Sequence, residues 1–261
     1  MMPGEGKQRG DPATGDQRTI LGINFFVGTA AEAVRRMREG GLLVVPAAPA
    51  LKDLGTKASY REALMNADMA IADSAYMVMV WNWLQHDSIR RVSGLEYICE
   101  LLEQPDVREP GNTLWIMASP QSADLNLAWL RQQGIEVPED CVYMAPMYAH
   151  EEIVDAALVE RIERLRPRHV ILTVGGGTQE RVGLYLKRNL SYLPAIHCIG
   201  AAIAFLSGDQ VRIPQWADRG YLGWLFRSVS EPGRYVPRYW SARKLLFLLV
   251  RYRERLPVPP G

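Results

Sequence analysis

The stretch HVILTVGGGTQERVGLYLKRN, residues 169–189, decides the fold class of this chain of 261 residues. Its first six residues are largely apolar, which is typical of a strand buried on both faces of a sheet. The glycines Gly175, Gly176 and Gly177 follow, and residues 178–189 have the pattern of an amphipathic helix. Such a turn lets the backbone approach a phosphate, and the start of the helix offers free N–H groups to an anion. Tight packing of the turn would explain the glycines equally well.

The rest of the chain repeats this alternation of apolar runs and helical patterns. We predict further strands at residues 42–46, 69–72, 113–118 and 142–145. Helices are predicted at residues 50–66, 76–84, 121–133 and 151–165. These elements indicate an α/β fold, a mostly parallel Rossmann-like sheet with helices on both faces. Ligands of such sheets bind outside the carboxyl ends of the strands, so residues that directly follow a strand are candidates for a site.

Composition divides the chain into three predicted regions. Residues 1–18 are polar and rich in glycine and charge, which predicts a disordered N-terminal tail. Residues 19–209 are predicted to form the α/β catalytic domain, and residues 210–261 a C-terminal helical appendage. Ten Lys and Arg but only three acidic residues lie between positions 212 and 255, interleaved with aromatic residues. We expect this appendage to contact an anionic membrane surface and no nucleic acid. Packing on the core and nucleic-acid binding are the alternatives.

No segment predicts passage through a membrane or export. The longest uninterrupted apolar run near the end, residues 245–250, is far shorter than the ~20 residues that a spanning helix needs. The first residues do not have the pattern of a signal peptide. Cys99, Cys141 and Cys198 lack CxxC spacing, so we expect buried thiols in a reducing cytoplasm.

One acidic residue stands out among the candidates for chemistry. The chain has no HExxH, GxSxG, P-loop or DxD motif and its four histidines are scattered, so the sequence predicts no metal site and no cofactor. Asp73, however, directly follows the predicted strand 69–72 and precedes a helix. A carboxylate held at a strand end suits a general base, and a helix N-cap is the other role that this position favours.

Four segments, taken in order, resemble one family. They are ADMAIADSAYM at 67–77, RRVSGLE at 90–96, GGGTQERV at 175–182 and GDQVRIPQWADRGYLGWLFRSVSEPGR at 208–234. Together they are similar to the WecG/TagA/CpsF glycosyltransferases (glycosyltransferase family 26). The resemblance implies metal-independent, inverting transfer of a hexosyl or N-acetylhexosaminyl group from a UDP-sugar to an undecaprenyl-diphosphate-linked saccharide. It also implies a cytoplasmic enzyme, attached peripherally to the inner face of the cell membrane, in bacterial cell-surface polysaccharide biosynthesis. A homo-oligomer is compatible with it.

The resemblance assigns roles to individual residues. Asp73 matches the catalytic aspartate of the family. The turn beside the donor nucleotide is matched by Gly175, Gly176, Gly177, Thr178 and Gln179. Arginines that close over the diphosphate are matched by Arg227, Arg234 and, with a spacing one residue longer, Arg238. Arg91 and Glu96 are candidates for contacts with acceptor or donor, or for a structural ion pair.

Three departures from the family pattern affect the expected site. Residues 47–50 read Ala-Ala-Pro-Ala where the family has Thr-Pro-Asn-Ala, and residues 200–204 read Gly-Ala-Ala-Ile-Ala in place of Gly-Gly-Ser-Phe-Asp. Gly223 stands where an acid is usual. These changes remove polar groups that would face the donor. They motivate an alternative function, a catalytically silent component of a polysaccharide assembly complex that binds a nucleotide-sugar or a lipid diphosphate.

Overall fold

The computed structural model describes residues 16–148, 152–209, 229, 233, 240 and 243–258. Its strands are β1 Gln17–Ile20, β2 Ile23–Phe26, β3 Gly41–Val44, β4 Met69–Ile71, β5 Thr113–Met117, β6 Val142–Met144, β7 His169–Leu172 and β8 Ala195–Cys198. Its helices are α1 Ala30–Met37, α2 Ala48–Leu51, α3 Ala58–Met65, α4 Ala75–Gln85, α5 Gly94–Leu102, α6 Pro105–Arg108, α7 Pro120–Gln132, α8 Ala156–Leu165, α9 Gln179–Asn189, α10 Ala204–Ser207 and α11 Lys244–Tyr252.

The eight strands form one sheet in the order β1-β2-β4-β3-β8-β7-β5-β6. Strands β1 and β2 pair antiparallel, and the remaining neighbours pair parallel. The predicted mostly parallel α/β sheet is therefore confirmed. The chain leaves β5 towards β6 and leaves β7 towards β8, in opposite directions along the sheet. The crevice at the carboxyl ends of β5 and β7 is thus a topological switch point, where open α/β sheets bind ligands.

Apolar layers cover both faces of the sheet. In β3, Leu42 and Val44 belong to a layer shared with α3, α4, α8, α9 and α11, whereas Leu43 belongs to a layer shared with α1, α5 and α7. This alternation follows from the period of two residues in a strand. Because both faces are buried, the central strands are nearly continuous apolar runs, which is why they could be predicted.

Other predicted elements differ from the structure. The helix expected at 50–66 is wrong as a single element, because α2 ends at Leu51 and α3 begins at Ala58. Gly55 lies in the interrupted stretch, and glycine is a poor helix former. The helix expected from 151 begins at Ala156, since the side chain of Asp155 caps it by accepting from the Leu158 amide. Strands β1, β2 and β8 and helices α1 and α5 had not been predicted.

Helix α11, from the predicted appendage, packs on the α/β domain. Leu245 and Leu249 are fully buried in the layer that also contains α4. Just beyond the helix, the carbonyl groups of Arg253 and Glu254 accept hydrogen bonds of 2.7 and 2.8 Å from the amides of Leu21 and Gly22, in the turn between β1 and β2. Core packing therefore determines one face of this helix. No helix in the described ranges is long and apolar enough to cross a bilayer.

None of the three cysteines forms a disulfide bond. Cys141 and Cys198 are buried, as predicted, whereas Cys99 is only partly buried on α5. Their chief contribution in the described structure is thus packing.

Candidate active site

Several predicted site residues lie along one edge of the sheet. Asp73 follows β4, Ala47 follows β3, Gly200 follows β8 and Gly175 follows β7. These four strands are consecutive neighbours and run parallel, so their carboxyl ends lie side by side. Segments more than a hundred residues apart in the sequence therefore form a single candidate site.

Two hydrogen bonds, from Arg91 and from the start of α5, hold the carboxylate of Asp73 in place. Its Oδ1 accepts a hydrogen bond of 3.1 Å from the amide of Gly94, the first residue of α5, and one of 3.2 Å from Nη2 of Arg91. Among the described residues every hydrogen bond to this carboxylate goes to Oδ1, and the side chain remains 27% exposed. The second oxygen is thus available to a substrate.

Asp73 does not cap the following helix. The N-cap of α4 is Ser74, whose hydroxyl accepts a hydrogen bond of 3.1 Å from the amide of Met77. The role that competed with catalysis in the sequence analysis therefore belongs to the next residue. What fixes Asp73 is the start of α5 and an arginine, and both lie some twenty residues further along the chain.

In the described part of the chain, Arg91 forms an ion pair with Asp73, and Glu96 forms one with Arg90. Arg91 donates from Nε to the carbonyl oxygen of Asp73 at 2.6 Å and from Nη2 to its carboxylate. Glu96 instead forms an ion pair of 2.6 Å with Arg90 at the surface. The structure therefore brings Arg91 into contact with Asp73 and leaves Glu96 in the first turn of α5, whose cap is Ser93.

Gln179 is buried, with 2% of its surface exposed. Its Nε2 donates to the carbonyl oxygen of Cys198 at 3.1 Å, and its Oε1 accepts from the amide of Gly200 at 2.6 Å. Nε2 also donates to Oε1 of Glu180 at 3.2 Å. The amide thus connects the start of α9 to the end of β8, and its hydrogen bonds are directed into the protein.

The glycine turn itself presents an open surface. A Cβ atom added to Gly175, Gly176 or Gly177 would meet nothing within 4 Å. Gly177 has a φ of +91°, in the left-handed region that favours glycine. Its amide donates to Oε2 of Glu180 at 2.6 Å, and its carbonyl oxygen accepts from Nε of Arg181 at 3.0 Å. Side chains of α9 therefore hold the turn in place, and its outer surface is accessible to a ligand.

Glu180 and Arg181, which support this turn, had not been singled out from the sequence. Glu180 is buried, and its burial raises the pKa of the carboxyl group. Burial lowers the pKa of the neighbouring Arg181 guanidinium, while the charge of Glu180 acts in the opposite direction. The available signal was their spacing of three and four residues from Gly177, which places both side chains over the turn that precedes them.

A pocket of about 270 Å³ lies between the segment that follows β3 and the glycine turn. The described residues that line it are Pro49, Ala50, Lys52, Asp53, Lys57, Tyr60, Gly176 and Gly177. Pro49 and Ala50, from the segment 47–50 where the chain departs from the family pattern, form part of this wall. Ala47 is the N-cap residue of α2 and makes no side-chain capping bond there. Ala204, at the position of the family's lost acid, is buried.

Two of the four histidines form a buried pair away from this edge, called here the histidine pair. Nδ1 of His169 lies 3.2 Å from Nε2 of His197. The chain of polar contacts continues from His197 to the Tyr97 hydroxyl at 2.9 Å and from His169 to Asp106 at 3.3 Å. Burial lowers the pKa of both histidines, well below the ordinary value for His197. The described residues contain no group of three or more His, Cys, Asp or Glu that could hold a metal ion.

The predicted diphosphate arginines, Arg227, Arg234 and Arg238, lie outside the described residues, as does Gly223. The described part of the candidate site thus consists of Asp73 with its supports, the glycine turn and the pocket beside it.

A strand-end carboxylate and an open glycine turn at the carboxyl edge of one Rossmann-like sheet suit a group-transfer enzyme whose substrate binds along that edge. Over residues 18–258 the chain matches the model of the glycosyl transferase WecG/TagA/CpsF family. The chain belongs to this family, whose members are glycosyltransferases of cell-surface polysaccharide biosynthesis. Curated proteins gave no individual match, so the family match alone carries this assignment.

Proposed function

We propose that the protein is an inverting, metal-independent glycosyltransferase that moves a hexosyl or N-acetylhexosaminyl group from a UDP-sugar to a polyprenyl-diphosphate-linked saccharide. The observation that carries the proposal is the carboxylate of Asp73, which is held through Oδ1 at the sheet edge and partly exposed. Inverting transfer is a single displacement at the anomeric carbon, so the acceptor hydroxyl must lose a proton as it attacks. A fixed carboxylate with an available oxygen suits that step.

The supports of Asp73 favour a fixed base over a mobile one. Arg91 donates hydrogen bonds to both the carbonyl oxygen and the carboxylate of Asp73, and the Gly94 amide at the start of α5 donates a third. In this proposal Arg91 is a positioning residue. Gln179 is a positioning residue as well, because its side chain holds the loop after β8 against the start of α9.

The leaving group is a nucleotide diphosphate, whose negative charge must be stabilised in the transition state. We assign that task to Arg227, Arg234 and Arg238, because arginine remains charged and binds phosphate oxygens in bidentate geometry. The exposed backbone of Gly175 and Gly176 adds a surface that phosphate oxygens can approach without steric conflict. No step in this scheme requires a metal ion.

We further propose that the protein works on the cytoplasmic face of the inner membrane. The outward face of α11 carries Leu246, Phe247 and Val250, and Phe247 is 61% exposed. Basic residues surround them, with the guanidinium of Arg251 5.7 Å from the centre of the Phe247 ring. Apolar burial and attraction to anionic lipid add together on such a helix, with each basic residue near the surface worth about 1 kcal/mol.

Helix α4, which packs against α11, enlarges the surface available for this contact. It exposes Met79 and Trp83, and Trp83 is 73% exposed. Tryptophan is favoured at the boundary between lipid and water, because one end of its ring system is apolar and the other is polar. Asp73 immediately precedes the N-cap of this helix, so the candidate base and the proposed lipid contact lie on one continuous segment of the chain.

Asp73→Asn tests the proposed chemistry. Asparagine keeps an oxygen that can accept from Gly94 and Arg91, so the fold and UDP binding should persist. Transfer should fall by about 10²–10⁴-fold, the usual contribution of a general base. UDP release and product formation would be measured with a panel of UDP-sugars and lipid-linked saccharides, with EDTA present in one arm. Asp124→Asn, an exposed position on α7, is the matched control.

The outcomes of this assay separate the two candidate functions. More than about a third of wild-type turnover in Asp73→Asn would rule out Asp73 as the base, and activity lost to EDTA and restored only by Mg²⁺ or Mn²⁺ would contradict the metal-free scheme. The second candidate, a silent binder, is favoured by the alanines at 47 and 204. It predicts nucleotide-sugar binding with no UDP release from any donor in the panel.

A further inference from the structure

The pocket beside the glycine turn contains a buried polar group that has no partner in the described structure. Tyr60 lines the pocket and is 2% exposed, yet its hydroxyl makes no hydrogen bond. Burial of an unsatisfied hydroxyl destabilises a protein, so such a group calls for an explanation, and a ligand that binds there is one. Burial, together with the carboxylates of Glu180 and Asp53, raises the pKa of this phenol well above its ordinary value.

Two lysines line the same pocket. Nζ of Lys52 lies 2.6 Å from Oδ1 of Asp53, and Nζ of Lys57 lies 3.3 Å from Oδ2. Asp53 thus holds both ammonium groups in position and neutralises one of their two charges. Each ammonium group has three donors, so capacity remains for a ligand after this contact.

The donors of this pocket outnumber its acceptors. Lysine ammonium groups only donate, and burial raises the pKa of the Tyr60 phenol well above its ordinary value, so its proton stays available. The carboxylate acceptors of the lining are the two Asp53 oxygens, and each already contacts one lysine ammonium group. A sugar ring would need acceptors as well as donors. A phosphoryl group offers only acceptor oxygens and negative charge at neutral pH, which is what this pocket complements.

Size and surroundings point to the same ligand class. A pocket of about 270 Å³ lies below the ~300–1,000 Å³ of sites that enclose a whole drug-sized ligand. It can therefore hold one portion of a larger substrate. The open surface of Gly176 and Gly177 forms one wall, where backbone can approach phosphate oxygens without steric conflict.

We propose that Lys52, Lys57 and Tyr60 form a diphosphate subsite at the edge of the active site. This inference rests on the proposed function, since it extends the same sheet edge towards the substrate. The diphosphate could belong to the nucleotide donor or to the lipid-linked acceptor, and both present the same chemistry to the pocket. The subsite supplies cations from the α2–α3 segment, close to the positions where this chain lacks the family's polar residues at 47–50.

Calorimetric titration of the purified protein would test the subsite directly. The ligands are inorganic diphosphate, UDP, uridine and farnesyl diphosphate. Tyr60→Phe and Lys52→Gln should each weaken the binding of inorganic diphosphate about ten- to a hundredfold, as expected for hydrogen bonds to a charged group. Lys57→Gln should have a smaller effect, because that side chain is largely exposed. The matched controls are Tyr192→Phe and Lys187→Gln. They make the same chemical changes at residues that lie near the amino ends of the strands, away from the pocket.

Thermal unfolding provides a second measurement on the same variants. Because the Tyr60 hydroxyl has no partner in the described structure, Tyr60→Phe should leave the ligand-free protein as stable as the wild type or more stable. It should also reduce the stabilisation that diphosphate gives. A purely structural hydroxyl would instead lower the stability of the ligand-free protein and leave diphosphate binding unchanged.

Each result decides the proposal. Wild-type affinity for inorganic diphosphate in both Tyr60→Phe and Lys52→Gln would overturn it, as would no binding of any diphosphate to the wild type. A loss of inorganic diphosphate binding that is accompanied by a loss for UDP assigns the subsite to the donor, and one accompanied by a loss for farnesyl diphosphate but not for UDP assigns it to the acceptor. Diphosphate binding that depends on Tyr60, in a protein that releases UDP from no donor, would refute the transferase and leave the subsite standing.

Discussion

Gln179 distinguishes a residue that contacts the donor from one that holds the site together. The substitution Gln179→Met keeps the length of the side chain and removes its amide. It leaves the carbonyl oxygen of Cys198 and the amide of Gly200 without the partner that they have in the structure. Cys198 is fully buried, whereas Gly200 is only partly buried and can be reached by water. We therefore expect the unsatisfied carbonyl of Cys198 to lower the free energy of unfolding by an amount near the upper end of the ~1–3 kcal/mol range for such groups. The amide of Gly200 should cost an amount near the lower end.

The expected total is about 2–4 kcal/mol in the free energy of unfolding, measured by urea denaturation. For a domain of this size that corresponds to a fall of roughly 5–15 °C in melting temperature. Turnover should fall in the fraction that remains folded, because the loop after β8 is no longer held at the sheet edge. Gln121→Met, at an exposed position on α7, is the control. A Gln179→Met variant with wild-type stability and weakened UDP binding would refute the positioning role and favour direct contact with the donor.

Three further perturbations give distinct expectations. Burial lowers the pKa of both members of the histidine pair, so the unfolded state binds more protons than the folded state below pH ~6.5. The unfolding free energy should therefore fall as the pH drops, with a limiting slope of about 1.4 kcal/mol per pH unit for a histidine that is protonated only in the unfolded state, and a flat urea profile from pH 7.5 to 5.5 would contradict this. Leu249→Ala should cost about 2–5 kcal/mol in a melting experiment and the more exposed Leu246→Ala much less; equal effects would mean that α11 is not part of the core. Phe247→Ser should weaken sedimentation with anionic liposomes at low salt without changing stability, and full retention of binding would exclude this face of α11 from the lipid contact.

Because α11 packs in the core, deletion of the C-terminal segment is a poor test of its lipid binding. Deleting residues 241–261 would remove Leu245 and Leu249 from the core and the two backbone hydrogen bonds to the β1–β2 turn. A loss of lipid binding in such a truncation would therefore report unfolding as much as docking. Substitutions on the exposed face, such as Phe247→Ser, avoid that ambiguity.

The fold was predictable from the sequence where burial leaves a clear pattern. Strands β3, β5 and β7 are covered on both faces, so they are nearly continuous apolar runs that alternate with helices. β2 was harder to predict because its four residues include the exposed Asn24. β8 lies in an apolar stretch interrupted by His197, whose imidazole is satisfied by partners from β7 and α5 that the local sequence does not reveal.

The candidate site was predictable only in part, for a related reason. The position of Asp73 at a strand end follows from the adjacent apolar run, and its family match supports the assignment. Its contacts with Gly94 and Arg91 depend on how α5 returns to the sheet edge. The pocket is formed by two segments, 49–60 and 176–177, that meet only because β3 and β7 both flank β8. A local pattern carries no information about such a meeting.

The anchoring of α11 has a consequence for the arginines that precede it in the chain. Residue 209 is tied to the carboxyl end of β5, where the Asp209 carboxylate accepts from the Ser122 hydroxyl at 2.7 Å, and α11 is fixed at the opposite side of the sheet, against α4 and the β1–β2 turn. The intervening chain is therefore tethered at both ends. If Arg227, Arg234 and Arg238 bind the leaving diphosphate as we propose, this double attachment lowers the entropy that is lost when they bind it. On that proposal, a substitution that loosens α11 would slow turnover without altering any arginine.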